Sequence, residues 1–164
     1  MLLDPVFTIR ESALVSMIEI SKLTDNQDWL VRTIGQKIQE FSKHERFMIR
    51  IQAIHFINRL APEVTKEVLN KQFMETILLL AEDPVPNIRF NVSKCIESFY
   101  TKMTPGSKFK CESAVKKMAK DTDFDSSYFA KRALEAIEKL WLLLISQQIY
   151  IIFKYGKRGF GVLG

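Results

Sequence analysis

The sequence has 164 residues, 47% hydrophobic and 26% charged, which suits one domain with a continuous core and is too short for two large ones. Of its formal charge of +5, Lys154, Lys157 and Arg158 supply three, and the remaining +2 gives a nucleic-acid surface little support. The two cysteines, Cys95 and Cys111, fall at unrelated positions and fit a reducing compartment and ordinary packing.

In chain order, residues 1–3 lead into an Asp4-Pro5 turn, followed by a helix predicted over residues 8–23. This is the second helix of a hairpin whose first helix is not present, so its face of Ile9, Ala13, Met17 and Ile20 is expected to lie uncovered. The stretch TDNQD at 24–28 reads as a polar turn. Trp29, Ile34, Ile38 and Phe41 mark the next helix, and residues 46–60 its partner. Residues 64–82 form the following first helix, with Val68, Leu69, Phe73, Ile77 and Leu80 apolar. The turn Asp83-Pro84-Val85-Pro86-Asn87 then starts a helix whose apolar residues Ile88, Val92, Cys95, Ile96 and Phe99 share one face. Thr104-Pro105-Gly106 reads as the stop of that helix. Residues 108–120 make another first helix, with Ala114, Val115 and Met118 inward, and 124–140 its partner.

These second helices repeat. Asp4, Pro5, Val6, Ile9 and Arg10 match Asp83, Pro84, Val85, Ile88 and Arg89 at a distance of 79 residues, and Ile49 and Arg50 stand between them at steps of 40 and 39. A fourth copy, 38 residues on, places Ser126 at the Ile88 position, with Ala130, Ala133, Leu134 and Ile137 inward. A period near 40 residues with two helices per copy predicts an all-α solenoid of helical hairpins, about three and a half repeats long, over residues 1–140. Residues 141–164, apolar and then Gly-rich and basic, receive no assigned fold. The apolar part, 141–153, has 13 uncharged residues, short of the roughly 20 that span a bilayer. The last helix is expected to run on through it and cover the final hairpin.

Nothing in the sequence marks an enzyme. His44 and His55 lack metal-ligand spacing, and His55 falls at the edge of a buried stripe, where a hydrogen-bonded packing histidine is expected. Asp121, Asp123 and Asp125 alternate as in a calcium loop but lack its Gly and closing Glu, and read as caps of the following helix. The Gly-rich tail lacks the strand and helix of a dinucleotide loop, and no cofactor is implied. The N-terminal residues show no secretory leader, so a cytoplasmic setting is expected.

The Asp-Pro-Val-x-x-Ile-Arg turn and the 39-residue step resemble HEAT repeats. EDPVPNIRFNVSKCIESF and KDTDFDSSYFAKRALEAI are similar to the last two repeats of the A-type scaffold subunits of type 2A phosphatases, within the HEAT-repeat scaffold and regulatory subunits of serine/threonine phosphatases, and the matched repeats also resemble the related type 4 regulatory subunits. The resemblance covers residues 4 to about 140. It implies a non-catalytic scaffold whose turns bind a phosphatase catalytic subunit, type 4 or 2A-like, with Asp4, Arg10, Arg50, Asp83, Asn87 and Arg89 at the ridge positions. In that family the Asp and Arg of successive turns form a ladder; Ser126 and Ser127 in place of Ile-Arg weaken it here, and residues after Leu140, which have no counterpart in the family, together with the missing first helix lead to the expectation of a truncated or alternative product. A general HEAT adaptor or transport module is the alternative reading; such adaptors favour acidic inner helices, whereas Arg10, Arg50, Arg89, Lys94, Lys131 and Arg132 occupy the second helices here.

Overall fold

The computed structural model describes residues 1–23 and 27–156; most of the turn expected at 24–28 and the tail at 157–164 lie outside the described residues. The elements are helical throughout: α1 (Phe7–Leu23), α2 (Gln27–Ser42), α3 (Phe47–Leu60), α4 (Lys66–Val68), a π-helical turn (Leu69–Phe73), α5 (Met74–Leu80), α6 (Pro86–Phe99), a 3₁₀ turn (Tyr100–Lys102), α7 (Pro105–Met118) and α8 (Phe124–Gly156). The second helices α3, α6 and α8 lie side by side in one layer, joined at the α3 edge by α1 through its side-chain contacts. The first helices α2, α5 and α7 form the other layer. This is an all-α solenoid, and its core is one continuous seam from Leu14 to Ile137.

The seam follows from the repeat spacing. Ile88, Val92, Cys95, Ile96 and Phe99 are all buried, as are Ala53, Phe56, Ile57 and Leu60 one repeat earlier and Ala130, Ala133 and Ile137 one repeat later. In α1 the stripe shifts: Leu14, Ile18 and Ser21 are buried, Ile9 and Ile20 are 39% and 50% exposed, and Ala13 and Met17 are half-buried with Met17 packed against the core, so the face expected to lie uncovered is open only in part. Cys95 and Cys111 are free and buried. Burial, with a smaller contribution from Glu112, pushes the Cys111 thiol up to about 12, and burial raises Cys95 as well. Since the thiolate is the nucleophile, alkylation by iodoacetamide at pH 8 should run about a hundredfold slower on the native chain than in denaturant; equal rates in mass spectrometry would contradict this burial.

Three local readings of the sequence are corrected. Thr104-Pro105-Gly106 does not stop a helix but starts one: Thr104 is the N-cap of α7, its Oγ1 accepting from the Ser107 N–H at 3.4 Å, and Pro105 occupies the first turn, where its missing N–H costs nothing. The helix before it ends instead at Phe99 and a 3₁₀ turn, and Lys102 from that turn donates to the Ala61 and Pro62 carbonyls at 2.9 and 2.7 Å, satisfying the C-terminal end of α3. The helix expected over 64–82 is interrupted by the π turn, whose extra residue keeps both Leu69 and Phe73 in the core. Finally, residues 141–153 do not cover the last hairpin. With no Gly or Pro between Asp125 and Tyr155 to turn the chain, α8 runs straight on through them. Trp141 contacts the turn that follows α6, its Nε1 donating to the Tyr100 hydroxyl at 3.3 Å, and beyond it the described side chains are exposed. Among the described residues no helix is long and apolar enough to cross a membrane.

Candidate functional site

The repeat steps put Asp4, His44, Asp83 and Asp121 at one turn position and Arg10, Arg50, Arg89 and Ser127 at another. Each Asp closes its own turn by accepting the N–H two residues on: Asp4 from Val6 at 2.9 Å, Asp83 from Val85 at 2.9 Å and Asp121 from Asp123 at 3.0 Å. Each Arg, six residues further, folds back onto the same turn. Arg89 Nη1 donates to the Asp83 and Pro84 carbonyls at 2.7 and 3.1 Å, Arg50 Nη1 to His44 and Glu45 at 2.7 and 2.8 Å, and Arg10 Nη1 to Asp4 and Pro5 at 2.5 and 3.0 Å.

The rest of the guanidinium reaches the next turn. Arg50 meets Asp83 through Nε at 2.6 Å and Nη2 at 3.0 Å, and Arg89 meets Asp121 at 2.6 and 2.9 Å. One planar fork thus pins two turns, which a lysine ammonium could not do with the same geometry. Arg50 and Asp83 are only 12% and 5% exposed, Arg89 and Asp121 16% and 10%. The Arg89 guanidinium, helped by the Asp123 N–H and Ser126 hydroxyl, holds the Asp121 carboxyl well below the usual carboxylate range.

The rung from Arg10 is built differently. His44 Nδ1 accepts the Arg46 N–H at 3.0 Å, so it closes the second turn as an Asp would, but it has no anionic oxygen to offer. Arg10 Nε instead reaches Gln52 Oε1 at 3.0 Å. The ladder ends at the fourth turn, where Ser127 stands in the Arg position and donates to the Ala119 carbonyl at 2.9 Å. Ser126, in the Ile88 position, is fully buried and donates to Asp121 at 2.7 Å. Asp123 accepts the Ser126 N–H at 2.9 Å; the capping role expected for this acidic run therefore falls on Asp123, and Asp121 belongs to the ladder.

Of the six ridge residues read from the sequence, Asp4, Arg10, Arg50, Asp83 and Arg89 are engaged within the chain. Asn87 faces outward, its Oδ1 accepting from Asn91 Nδ2 at 2.9 Å. The sequence reading passed over a recurring row of exposed side chains. Phe7, Phe47, Pro86 and Phe124 share one repeat position, the first residue of each second helix, and the three Phe are 51%, 39% and 79% exposed. Their recurrence at the same steps of 40, 39 and 38 was the available signal. Beside this row, an open groove of about 670 Å³ is lined by Leu3, Pro5, Phe47, Met48 and Val85, and one of about 740 Å³ by Glu82, Pro84, Lys116, Lys120 and Thr122.

His55 is half-buried, and its Nε2 lies 2.6 Å from Glu11 Oε2. Among the described residues no group of three His, Cys, Asp or Glu side chains is placed to hold a metal ion.

No protein-family model matches the chain. Among curated proteins it is similar to the A-type regulatory subunit of protein phosphatase PP2A from Saccharomyces cerevisiae, 30% identical over 123 residues that make up 69% of this chain and 19% of the relative. The protein of the same name from Schizosaccharomyces pombe is 40% identical over 65 residues, 40% of this chain and 11% of the relative. The solenoid is built of HEAT repeats. This distant similarity supports a HEAT-repeat phosphatase scaffold family, and both relatives carry the name of a regulatory rather than a catalytic subunit. The chain spans less than a fifth of the length of either.

Proposed function

We propose that this chain is a non-catalytic regulatory or scaffold unit that binds the catalytic subunit of a serine/threonine phosphatase along its ridge of turns. The observation that carries this reading is the similarity over 123 residues to a phosphatase regulatory subunit. The names of the relatives favour a 2A-like partner, and the resemblance of residues 4 to about 140 to the type 4 regulatory subunits favours type 4; the reading goes with a cytoplasmic location. In this reading the ladder of Asp4, Arg10, Arg50, Asp83 and Arg89 holds successive turns in register, so that several modest contacts meet one partner surface together. Phe7, Phe47, Asn87 and Phe124 then make those contacts, with the aromatic rings as anchors.

The test is binding of the purified chain to purified type 2A and type 4 catalytic subunits by calorimetry. Phe124→Ala should weaken binding about tenfold, the effect of losing one aromatic anchor, with circular dichroism unchanged because the side chain is 79% exposed. No binding to either of the two would overturn the proposal. Binding that ignores both Phe47→Ala and Phe124→Ala would move the contact off the ridge.

A further inference from the structure

The three first helices differ in charge. α2 carries two acidic and two basic residues, and the stretch from α4 to α5 carries two of each, whereas α7 carries four lysines and one glutamate. The basic excess therefore belongs to this repeat and not to the fold. With Cys111, Val115 and Met118 buried in the seam, α7 turns Phe109, Lys110, Ser113, Lys116 and Lys117 to solvent, and Lys120 follows them in the next turn. Glu112 is half-buried and accepts from the Tyr100 hydroxyl, so the one carboxylate of α7 is held off this stripe. Lysines in a last turn offset the helix dipole, but that effect ends within a turn and Lys110 lies further back. Lys117 meets Glu82 at 2.8 Å in a largely exposed pair, which contributes little. At its Lys116 end the stripe opens into the groove of about 740 Å³, whose inner carboxylates, Asp83 and Asp121, are taken by Arg50 and Arg89. At its other end Phe109 is 76% exposed.

We propose that this stripe docks an acidic segment of a partner protein in extended form, with an apolar side chain of that segment against Phe109 and its carboxylates over Lys110, Lys116 and Lys120. The shape of the surface suits a peptide. From Phe109 to Lys120 it runs roughly 16 Å at the helical rise and is one helix wide, the track of about five extended residues. Other anions fit it less well. The stripe holds no arginine, whose planar fork matches phosphate, and a single ring, where single-stranded nucleic acid stacks on several. A membrane surface takes up the apolar face of a helix, and that of α7 is buried in the core. The contact requires no phosphatase and can be measured without one.

Fluorescence anisotropy of the full chain with a labelled peptide tests this, the peptide being about five Glu and Asp residues with a leucine at each end, the span of the stripe. At about 50 mM salt a Kd on the order of 10–100 µM is expected from a few exposed ion pairs and one apolar contact, rising at least about tenfold at about 500 mM, where screening is strong. Lys110→Glu with Lys116→Glu should weaken binding at least about tenfold, whereas Arg32→Glu with Lys37→Glu, the same charge change on α2, should weaken it less than about twofold. Circular dichroism should be unchanged in both, since all four residues are exposed. Replacing the leucines of the peptide by serines should weaken binding about threefold to the wild type and not to Phe109→Ala. No binding at about 1 mM peptide would overturn the proposal, as would equal weakening by the two charge pairs, which marks net charge alone, or a leucine effect that is absent or that survives Phe109→Ala. Tighter binding of a single-stranded RNA, or flotation with phosphatidylserine vesicles, would assign the stripe to another anion instead.

Discussion

Arg89→Ala should destabilise the fold by about 2–4 kcal/mol, the cost of removing one partner of a largely buried, hydrogen-bonded ion pair. The variant loses two bonds to Asp121 and two to the carbonyls of its own turn at once. Asp121 would keep its bonds from Asp123 and Ser126 but carry an unpaired charge in a site only 10% exposed. The pH dependence gives an independent readout. Because the folded Asp121 carboxyl lies below its ordinary value of 3.8, the stability it contributes is fully present above that value and is lost as pH falls through the folded pKa. The wild type should therefore weaken as pH drops below about 4–5, and Arg89→Ala should weaken less over the same interval because the source of the depression is gone. Urea unfolding at pH 7 and at pH 3, followed by circular dichroism, measures both. A midpoint at pH 7 indistinguishable from wild type would show that the ladder contributes nothing to stability.

The sequence leaves two readings of Arg89 open, a bridge between neighbouring turns and a contact for a partner, because the position one beyond the buried stripe lies at the surface and the chemistry of an Arg in a turn does not say where its fork points. The repeat step carries part of the answer, because an Arg and an Asp that recur at 39 and 38 residues must be neighbours in a stack. The direction of the ion pair is not in the spacing: Arg89 could have paired with the Asp83 carboxylate, six residues back, instead of that of Asp121, 32 residues on. The turn geometry decides, since Asp83 already accepts Val85 and Arg50.

The buried stripe was legible for a simpler reason. Ile88, Val92, Cys95, Ile96 and Phe99 are apolar at helical spacing, and such a face must be covered whatever covers it. Where the same reasoning met residues 141–153 it gave the wrong cover. Apolar content says that a surface avoids water and not which surface it meets, and the helix runs on past the body because nothing in the sequence turns it. Thr104-Pro105-Gly106 misleads in another way. Pro and Gly stop a helix that precedes them and are tolerated in the first turn of one that follows, and only the hydrogen bond from Ser107 to Thr104 separates the two.

Ile88→Asp should cost more than about 5 kcal/mol, comparable with the whole stability of a small domain, because it removes a fully buried side chain and puts a carboxylate in its place. In a stack whose repeats hold only their neighbours, losing the third hairpin uncouples α8 from α3, so most of the helical signal should go in one transition. The fourth repeat shows how this position can be polar without that outcome. Ser126 occupies it fully buried, its hydroxyl donating to Asp121 and its N–H to Asp123. Asp83 stands in the same relation to position 88, so Ile88→Ser leaves a cavity but gives its hydroxyl an acceptor, and should cost about 2–4 kcal/mol. The two variants also separate in acid. A carboxyl introduced at this buried position has its folded pKa raised by desolvation, so its penalty is absent below the unfolded pKa and grows as pH rises through that value to the folded one. The deficit of Ile88→Asp should accordingly shrink between pH 7 and pH 4, while that of Ile88→Ser stays constant because serine adds no titrating group. Urea midpoints of the three proteins at both pH values decide it, and an Ile88→Asp chain within about 1 kcal/mol of wild type at pH 7 would mean that this face is not the core of the stack.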